Sequence, residues 1–236
     1  MDEHPDVFAP VLPGEGASDY ERYLRTAELL ALQKPPAEMA HRDELLFTVV
    51  HQSSELWLKL ASFELEETVA LLRVRNLAAA NRLVRRALAC LANTTAALDM
   101  LEHMSAWEYQ VVRTALGHGS GFDSPGFKTL RAASVQLGVL FHDVLRDAGL
   151  TVVELIQHGR EHEELYTLEE LLVEWDERMT MWRLRHVKVI QRVIGAGSVG
   201  TQGTPVELLV GLLRHNLYPE LWQARNELTD IAGLEP

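Results

Sequence analysis

Apolar residues recur at intervals of three and four along almost the whole chain after Asp19, and no convincing run alternates apolar with polar residues between turn residues. Intervals of three and four bring side chains to one face of a helix, whereas strict alternation is typical of a half-buried strand. The pattern therefore predicts an all-α fold, a single-domain helical bundle with long antiparallel helices.

Capping and helix-breaking residues divide this pattern into helices. A first helix would begin at Ser18 or Asp19 and run to Gln33, because the two prolines that follow at 35 and 36 cannot continue it. A second helix begins near Asp43 and continues for about 30 residues, before a break that Asn76 allows. Further helices are predicted over residues 78–104, 105–116, 127–146, 152–159, 168–194, 206–214 and 219–231.

Two glycine-rich stretches interrupt the helices and are predicted to be loops, residues 117–126 and residues 195–205. We find no internal repeat and no linker long enough to separate two domains. Residues 1–18 contain prolines, glycines and acidic residues and resemble neither a signal peptide nor a membrane-spanning segment. We expect residues 1–18 to form a flexible leader and residues 19–236 to form one folded domain.

Composition and charge narrow the possible partners. With 47% hydrophobic residues in 236, the chain can bury a sizeable core. Its net charge of -12, from 34 acidic and 22 basic residues, argues against nucleic acid as the main partner, because that binding depends on Lys and Arg neutralising phosphates. The single cysteine, Cys90, excludes an intramolecular disulfide and a cysteine-based zinc site. A cytoplasmic protein without a membrane partner is expected.

Ten histidines raise the question of a metal site. His158 and His162 are four residues apart, but Gly159 between them makes a rigid two-ligand helix face doubtful. His51 and His186 differ from the other histidines, since each lies in mid-helix among bulky apolar residues.

His186 lies at the centre of a core-facing stripe that it forms with Met179, Trp182, Val189 and Val193. A lone histidine in such a stripe is usually a core residue with a hydrogen-bond partner. The alternative is a haem ligand, because haem iron needs an axial imidazole in an apolar pocket and leaves no short sequence signature.

Phe47 and His51 are one helical turn apart and could form one wall of a cavity, although a core phenylalanine beside a hydrogen-bonded histidine is the simpler interpretation. Tyr109, Arg113 and Leu116 share another helix face, just before the first glycine-rich loop. Arg113 has mostly apolar neighbours, so its burial needs an anion, and guanidinium binds carboxylate in a bidentate manner. Either an acidic residue of the chain or the carboxylate of a ligand must meet it.

Five segments of the chain, most of which carry these residues, resemble the tryptophan 2,3-dioxygenase family. The resemblance runs in order from about Asp19 to Arg225. The segments read DELLFTVVHQSSELWLK (43–59), YQVVR (109–113), SGF (120–122), WRLRHVK (182–188) and YPELW (218–222).

The resemblance implies a haem b cofactor in a pocket enclosed by the helices, with ferrous iron in the active state. It places His186 on the proximal side as the iron ligand. It places His51, the implied catalytic residue, on the distal side within reach of the indole N–H of the substrate. The other residues implied at the cofactor are Leu116, Ser120, Gly121 and Trp182.

For the substrates, the resemblance implies O2 together with L-tryptophan or a related indole. Phe47 would pack on the indole ring. Arg113 and Tyr109 would hold the amino-acid carboxylate, and Thr201 in the second loop would reach the ammonium and carboxylate end.

The family also places an N-terminal helix of a neighbouring subunit over the pocket. In this chain that helix would contribute Tyr20, Tyr23 and Leu24. The implied assembly is a homotetramer, with a dimer as the smaller alternative.

The implied reaction is cleavage of the indole C2–C3 bond of L-tryptophan by O2 to give N-formyl-L-kynurenine. Two other functions stay open: a related oxygenase that acts on a substituted tryptophan or indole in secondary metabolism, and a non-catalytic sensor that binds haem or an indole. The region between Arg131 and Trp175 is shorter than in typical members, and loop 195–205 lacks the basic residues often found there. Leu98 also stands where the family often has an aromatic residue, and Trp107 stands where it often has a proline. These differences motivate the first alternative.

Overall fold

The computed structural model describes residues 9–233, and its regular structure is helical apart from one isolated bridge between Val199 and Pro205. The all-α prediction is confirmed. Short 3-10 turns lie at Pro36–Glu38, Leu101–His103, Gly121–Asp123, Gly159–Glu161 and Leu212–Arg214. In chain order the α-helices are α1 Asp19–Leu24, α2 Thr26–Leu30, α3 Glu44–Arg73, α4 Leu77–Met100, α5 Ala106–Ala115, α6 Pro125–Asp147, α7 Val152–Gln157, α8 Glu163–Ile194, α9 Val206–Gly211 and α10 Pro219–Ile231.

Several predicted boundaries differ from the structure by a few residues, and two differences change the description of a helix. The first helix is broken at Arg25, whose φ of 54° lies in the left-handed region and ends α1 before α2 begins. Helix α8 begins at Glu163, five residues before the predicted start at 168. Glu163 and Glu164 in its first turn favour this earlier start, because negative side chains stabilise the N-terminus of a helix.

The described part of the expected leader, residues 9–18, lies partly against α1. The Asp19 carboxylate accepts hydrogen bonds from the backbone N–H groups of Val11 and Leu12 at 2.9 and 2.7 Å. Arg22 donates to the carbonyls of Leu12 and Gly16 at 2.6 and 3.1 Å. Residues 1–8 of the expected leader lie outside the described residues.

The four longest helices form the bundle. Helices α3 and α4 make an antiparallel hairpin across residues 74–76, and the Asn76 side chain caps α4 by accepting from the Ala79 N–H. Helix α3 also packs against α6, and α4 packs against α8. The bulkiest side chains buried between these helices are Leu58, Leu65, Leu72, Leu91, Leu130, Leu137, Phe141, Leu168, Leu172 and Trp175.

A second, smaller cluster of apolar side chains brings α3, α4, α5 and α8 together. Its buried members are Val50, Leu98, Leu101, Met104, Val112 and Val189. Phe47, Tyr109 and Trp182 are partly buried and pack against it. Phe47 and Tyr109 therefore lie at the edge of this cluster, and Trp182 packs against both this cluster and the main core.

Helix α10 is attached to the bundle through the buried carboxylates of Glu169, which pairs with Arg225, and Asp176. Asp176 on α8 is 1% exposed and accepts hydrogen bonds from the backbone N–H groups of Leu217 and Tyr218 at 2.9 and 3.2 Å and from Trp222 Nε1 at 3.0 Å. The Tyr218 hydroxyl continues inward and donates to the Ser134 carbonyl at 2.9 Å. The YPELW segment thus contributes to packing.

None of the helices in residues 9–233 combines the length and the apolar character that crossing a membrane would require.

The first prediction concerns Asp176→Asn. The substitution replaces one acceptor oxygen by an NH2 group that faces N–H donors, and unsatisfied buried donors are costly. We expect the free energy of unfolding to fall by about 2–3 kcal/mol, measured by urea denaturation followed by circular dichroism. Asp230→Asn, at an exposed position in α10, serves as the matched control and should change the stability little. Equal stability of the two variants would contradict the role of Asp176.

Candidate functional site

His186 lies three-quarters of the way along α8 and packs against aromatic side chains. The Trp182 ring stacks on its imidazole, with centroids 5.0 Å apart and an angle of 15° between the planes, and Phe127 packs on the other side of Trp182 at 4.1 Å. Burial, with a smaller contribution from the nearby His51, lowers the pKa of His186 to about 4. The ring is therefore neutral at pH 7, and its nitrogens make no hydrogen bond to the described residues. A neutral imidazole in this state can act as a metal ligand.

His51 lies on α3 and is held by its own helix. Its Nδ1 is 2.7 Å from the carbonyl oxygen of Phe47, and the two rings pack with centroids 4.0 Å apart. Because a carbonyl can only accept, Nδ1 carries the proton and Nε2 is left as an acceptor. Solvent reaches His51, yet desolvation by the surrounding protein still lowers its pKa. The Phe47 carbonyl and the Glu55 carboxylate oppose this shift.

His51 on α3 lies near enough to His186 on α8 for its charge to contribute to the lowered pKa of His186. Gly121 in the first loop lies in front of the His186 ring. A Cβ atom added there would be 4.0 Å from both Nε2 and Cε1 of His186. Glycine therefore leaves open the space that an axial bond to Nε2 would need.

Tyr109 and Arg113 project from α5 on the other side of Phe47. The Tyr109 ring lies 6.2 Å from the Phe47 ring, and burial raises the pKa of its hydroxyl. Arg113 donates through Nη2 to the carbonyl of Val199 at 2.7 Å. No carboxylate of residues 9–233 forms an ion pair with Arg113, so an internal acid does not account for this guanidinium. Its remaining N–H groups suit a ligand carboxylate.

The two glycine-rich loops contact each other beside Arg113. Thr201 donates a hydrogen bond to the Gly119 carbonyl, and Gln202 Nε2 donates to the His118 carbonyl at 3.0 Å and to Asp123 Oδ2 at 2.7 Å. Sequence reasoning did not identify Gln202 or Asp123. Neither residue belongs to a sequence motif. They come together only because two loops about 80 residues apart in the chain meet in the fold.

Leu116 and Ser120 shape the first loop. Leu116 is half-buried at the end of α5, and its carbonyl accepts from the Gly119 N–H at 2.9 Å. Ser120 caps the 3-10 turn that contains Gly121 by accepting from the Phe122 N–H at 3.3 Å. Both residues position the loop that faces His186.

Tyr20, Tyr23 and Leu24 are not brought to this site within one chain. They lie on α1, which has no buried residue, and they are 68%, 77% and 46% exposed. Their predicted place over the pocket depends on a neighbouring subunit and stays a prediction.

The described residues contain no group of three or more His, Cys, Asp or Glu side chains with metal-binding geometry. A haem does not need such a group of side chains, because its iron requires one axial imidazole and its ring requires an apolar wall. His186 has a neutral ring without a hydrogen-bond partner in the described part of the chain, and Gly121 leaves space before it. Trp182 Nε1 is buried in the same wall without a hydrogen-bond partner, an arrangement that native proteins rarely leave unexplained.

Comparison with known proteins gives a consistent result. Residues 7–145 match the family model of tryptophan 2,3-dioxygenase, a stretch that includes His51, Tyr109, Arg113 and Gly121. The chain is 31% identical to the tryptophan 2,3-dioxygenase of Caulobacter vibrioides, over 89% of this chain and 98% of the relative. It is 28% identical to the tryptophan 2,3-dioxygenase of Burkholderia ambifaria, over 95% of this chain and 93% of the relative. It is 29% identical to the tryptophan 2,3-dioxygenase of Burkholderia multivorans, over 89% of this chain and 83% of the relative.

The second prediction concerns the pH dependence of the haem-free protein. The imidazole of His186 has a pKa of about 4 when folded, against the ordinary histidine value of 6.5 that the unfolded chain should approach. Between pH 6.5 and 4 the unfolded state binds more protons, so the free energy of unfolding should fall as the pH is lowered, by at most about 3 kcal/mol.

His186→Phe should flatten this dependence, as measured by urea denaturation at a series of pH values. His103→Phe changes an exposed histidine and should keep the wild-type slope. The same slope in the protein and in both variants would show that His186 is not a buried neutral group.

Proposed function

The chain belongs to the tryptophan 2,3-dioxygenase family, and from this premise we propose that it cleaves the indole C2–C3 bond of L-tryptophan with O2 to give N-formyl-L-kynurenine. The observation that carries the proposal is the arrangement of His186, His51 and Arg113. One neutral imidazole suits an iron, a second suits an indole N–H, and the guanidinium has no carboxylate partner among the described residues.

The cofactor of this proposal is haem b, held by His186. When bound, ferrous haem supplies the activation of O2. Trp182 and Phe127 stack behind His186 and fix the plane of its ring, so that the ring nitrogen points away from α8 towards Gly121.

His51 and Phe47 orient the indole. Because the Nδ1 proton of His51 is held by the Phe47 carbonyl, Nε2 can accept a hydrogen bond from the indole N–H. The Phe47 ring offers a flat apolar surface on which an indole can stack. Together they hold the reacting bond in one place, which is the main contribution that the protein makes to such a reaction.

Arg113, Tyr109 and Thr201 bind the amino-acid end. Arg113 pairs with the carboxylate through charge-assisted hydrogen bonds, and the neutral hydroxyl of Tyr109 lies on the same helix face. Thr201 lies in the loop whose Val199 carbonyl already accepts from Arg113, so this loop is close enough to reach the ammonium group.

We further propose a homotetramer in which α1 of a neighbouring subunit covers the pocket. The exposure of three large side chains, Tyr20, Tyr23 and Leu24, on a helix with no buried residue supports this assembly.

The third prediction tests the reaction directly. The reduced protein, loaded with haem under air, should show an imidazole-ligated Soret band and should convert L-tryptophan to a product that retains both atoms of labelled dioxygen. One retained atom, in a product made from a substituted tryptophan or indole, would favour the related oxygenase. Spectral binding of L-tryptophan without any product would favour a sensor.

The fourth prediction separates the roles of two residues. His186→Ala should lose haem, because the axial ligand is removed. Arg113→Ala should keep haem and raise KM, with a loss in kcat/KM of about 10- to 100-fold, as expected for a charge-assisted hydrogen bond. Arg73→Ala changes an exposed arginine at the end of α3 and is the matched control. Equal haem loss in the His186 and Arg113 variants would contradict the assigned roles.

A further inference from the structure

Glu55 lies on α3 one helical turn after His51, and it binds the start of α6. One carboxylate oxygen accepts the hydroxyl proton of Ser124, and the other accepts the backbone N–H of Gly126 at 2.9 Å. No Lys, Arg or His of the described residues forms an ion pair with this carboxylate. Its charge is held by neutral donors at the N-terminus of a 23-residue helix, the end at which the helix dipole favours an anion.

The contact between these two helices is close. A Cβ atom added at Gly126 would lie 2.6 Å from Glu55 Oε2 and 2.8 Å from the Cβ of Leu58. Neither distance is possible between real atoms, so only glycine allows α6 to begin at this place. The first turn of α6 is therefore fixed relative to the helix that carries His51.

From this first turn a continuous set of contacts leads to the other histidine. The hydroxyl of Ser124 that donates to Glu55 also accepts from the N–H of Phe127 at 3.2 Å. The Phe127 ring packs on Trp182 at 4.1 Å, and Trp182 stacks on His186 at 5.0 Å. Each contact in the set is short and involves a side chain with few alternative positions.

The same first turn also ends the loop that contains Gly121. Ser124 follows the 3-10 turn Gly121–Asp123 directly, and Gly121 faces Nε2 of His186. A displacement at Ser124 would therefore move both the stack behind the His186 ring and the loop in front of it.

We propose that Glu55 is a positioning residue that fixes the separation and orientation of His51 and His186 by holding the start of α6 against α3. The inference rests on the proposed function, because the space between the two rings is the one assigned to haem and substrate. Glu55 touches neither of them and acts through Ser124, Phe127 and Trp182.

The Glu55 carboxylate accepts through both of its oxygens at this position. Glutamine has the same shape but no charge: its carbonyl can still accept from the Gly126 N–H, and its NH2 group can only donate to the Ser124 oxygen, which reverses that bond. Glu55→Gln therefore replaces two charge-assisted hydrogen bonds by weaker neutral ones without leaving a cavity. Ser124→Ala removes the hydroxyl bond from the other side and is the milder variant.

The experiment compares Glu55→Gln, Ser124→Ala and the double variant with the wild-type protein. Glu67→Gln is the matched control, an exposed glutamate on the same helix. Circular dichroism and gel filtration report folding, haem titration reports affinity, and resonance Raman spectroscopy of the ferrous protein reports the iron–histidine stretch. In the haem-free proteins, NMR spectra with 13C-labelled histidine rings report the surroundings of His186 and His51.

We expect Glu55→Gln to fold, to bind haem at least 10-fold more weakly and to shift or broaden the iron–histidine stretch. Ser124→Ala should show the same changes to a smaller extent, and the double variant should add little to Glu55→Gln, because both substitutions act on the same contact. The ring signals of both histidines should move in Glu55→Gln and stay in place in Glu67→Gln.

The result that would overturn the inference is a Glu55→Gln protein whose haem affinity, iron–histidine stretch and histidine signals equal those of Glu67→Gln. Should Glu55→Gln fail to fold, wild-type values for Ser124→Ala would overturn it equally. Failure of the wild-type protein to take up haem would instead contradict the proposed function. The histidine signals of the haem-free variants would then still test whether Glu55 positions His51 and His186.

Discussion

The site depends on a neutral imidazole held in an apolar wall. Removing His186 from water makes its charged form unfavourable, and the Trp182 stack leaves the ring one orientation. The nitrogens of this half-buried ring make no hydrogen bond to the described residues. Its surroundings, from Trp182 on one face to Gly121 near Nε2, leave space for a ligand at that nitrogen.

The bundle supplies the rigidity that this arrangement needs. Helix α8 contributes both Trp175, buried in the main core, and His186, eleven residues further on beside the smaller cluster. Three full turns of one helix therefore connect the most tightly packed part of the molecule to the site. The region around Arg113 is built differently, from α5 and two loops whose contacts are single hydrogen bonds.

The sequence predicted the helices well and their contacts poorly, for a physical reason. A three-four spacing reports which face of a helix is buried, so α3, α6 and α10 were found almost to the residue, and His186 was placed on an inward face. The spacing does not report what that face meets. The break at Arg25, the bond from Gln202 to Asp123 and the contact of Glu55 with Gly126 each depend on local strain or on a distant segment. The sequence also left open which acceptor Arg113 meets, and the folded loop supplies one in the carbonyl of Val199.

The closed arrangement of the two loops has a consequence for selectivity among amino acids. On the proposed function, Arg113 keeps its bond to the Val199 carbonyl and offers its remaining N–H groups to the carboxylate that every amino acid carries. That end then contributes affinity without selecting among amino acids. On the same proposal, discrimination comes from the indole end, where His51 and Phe47 would meet a group that few metabolites possess.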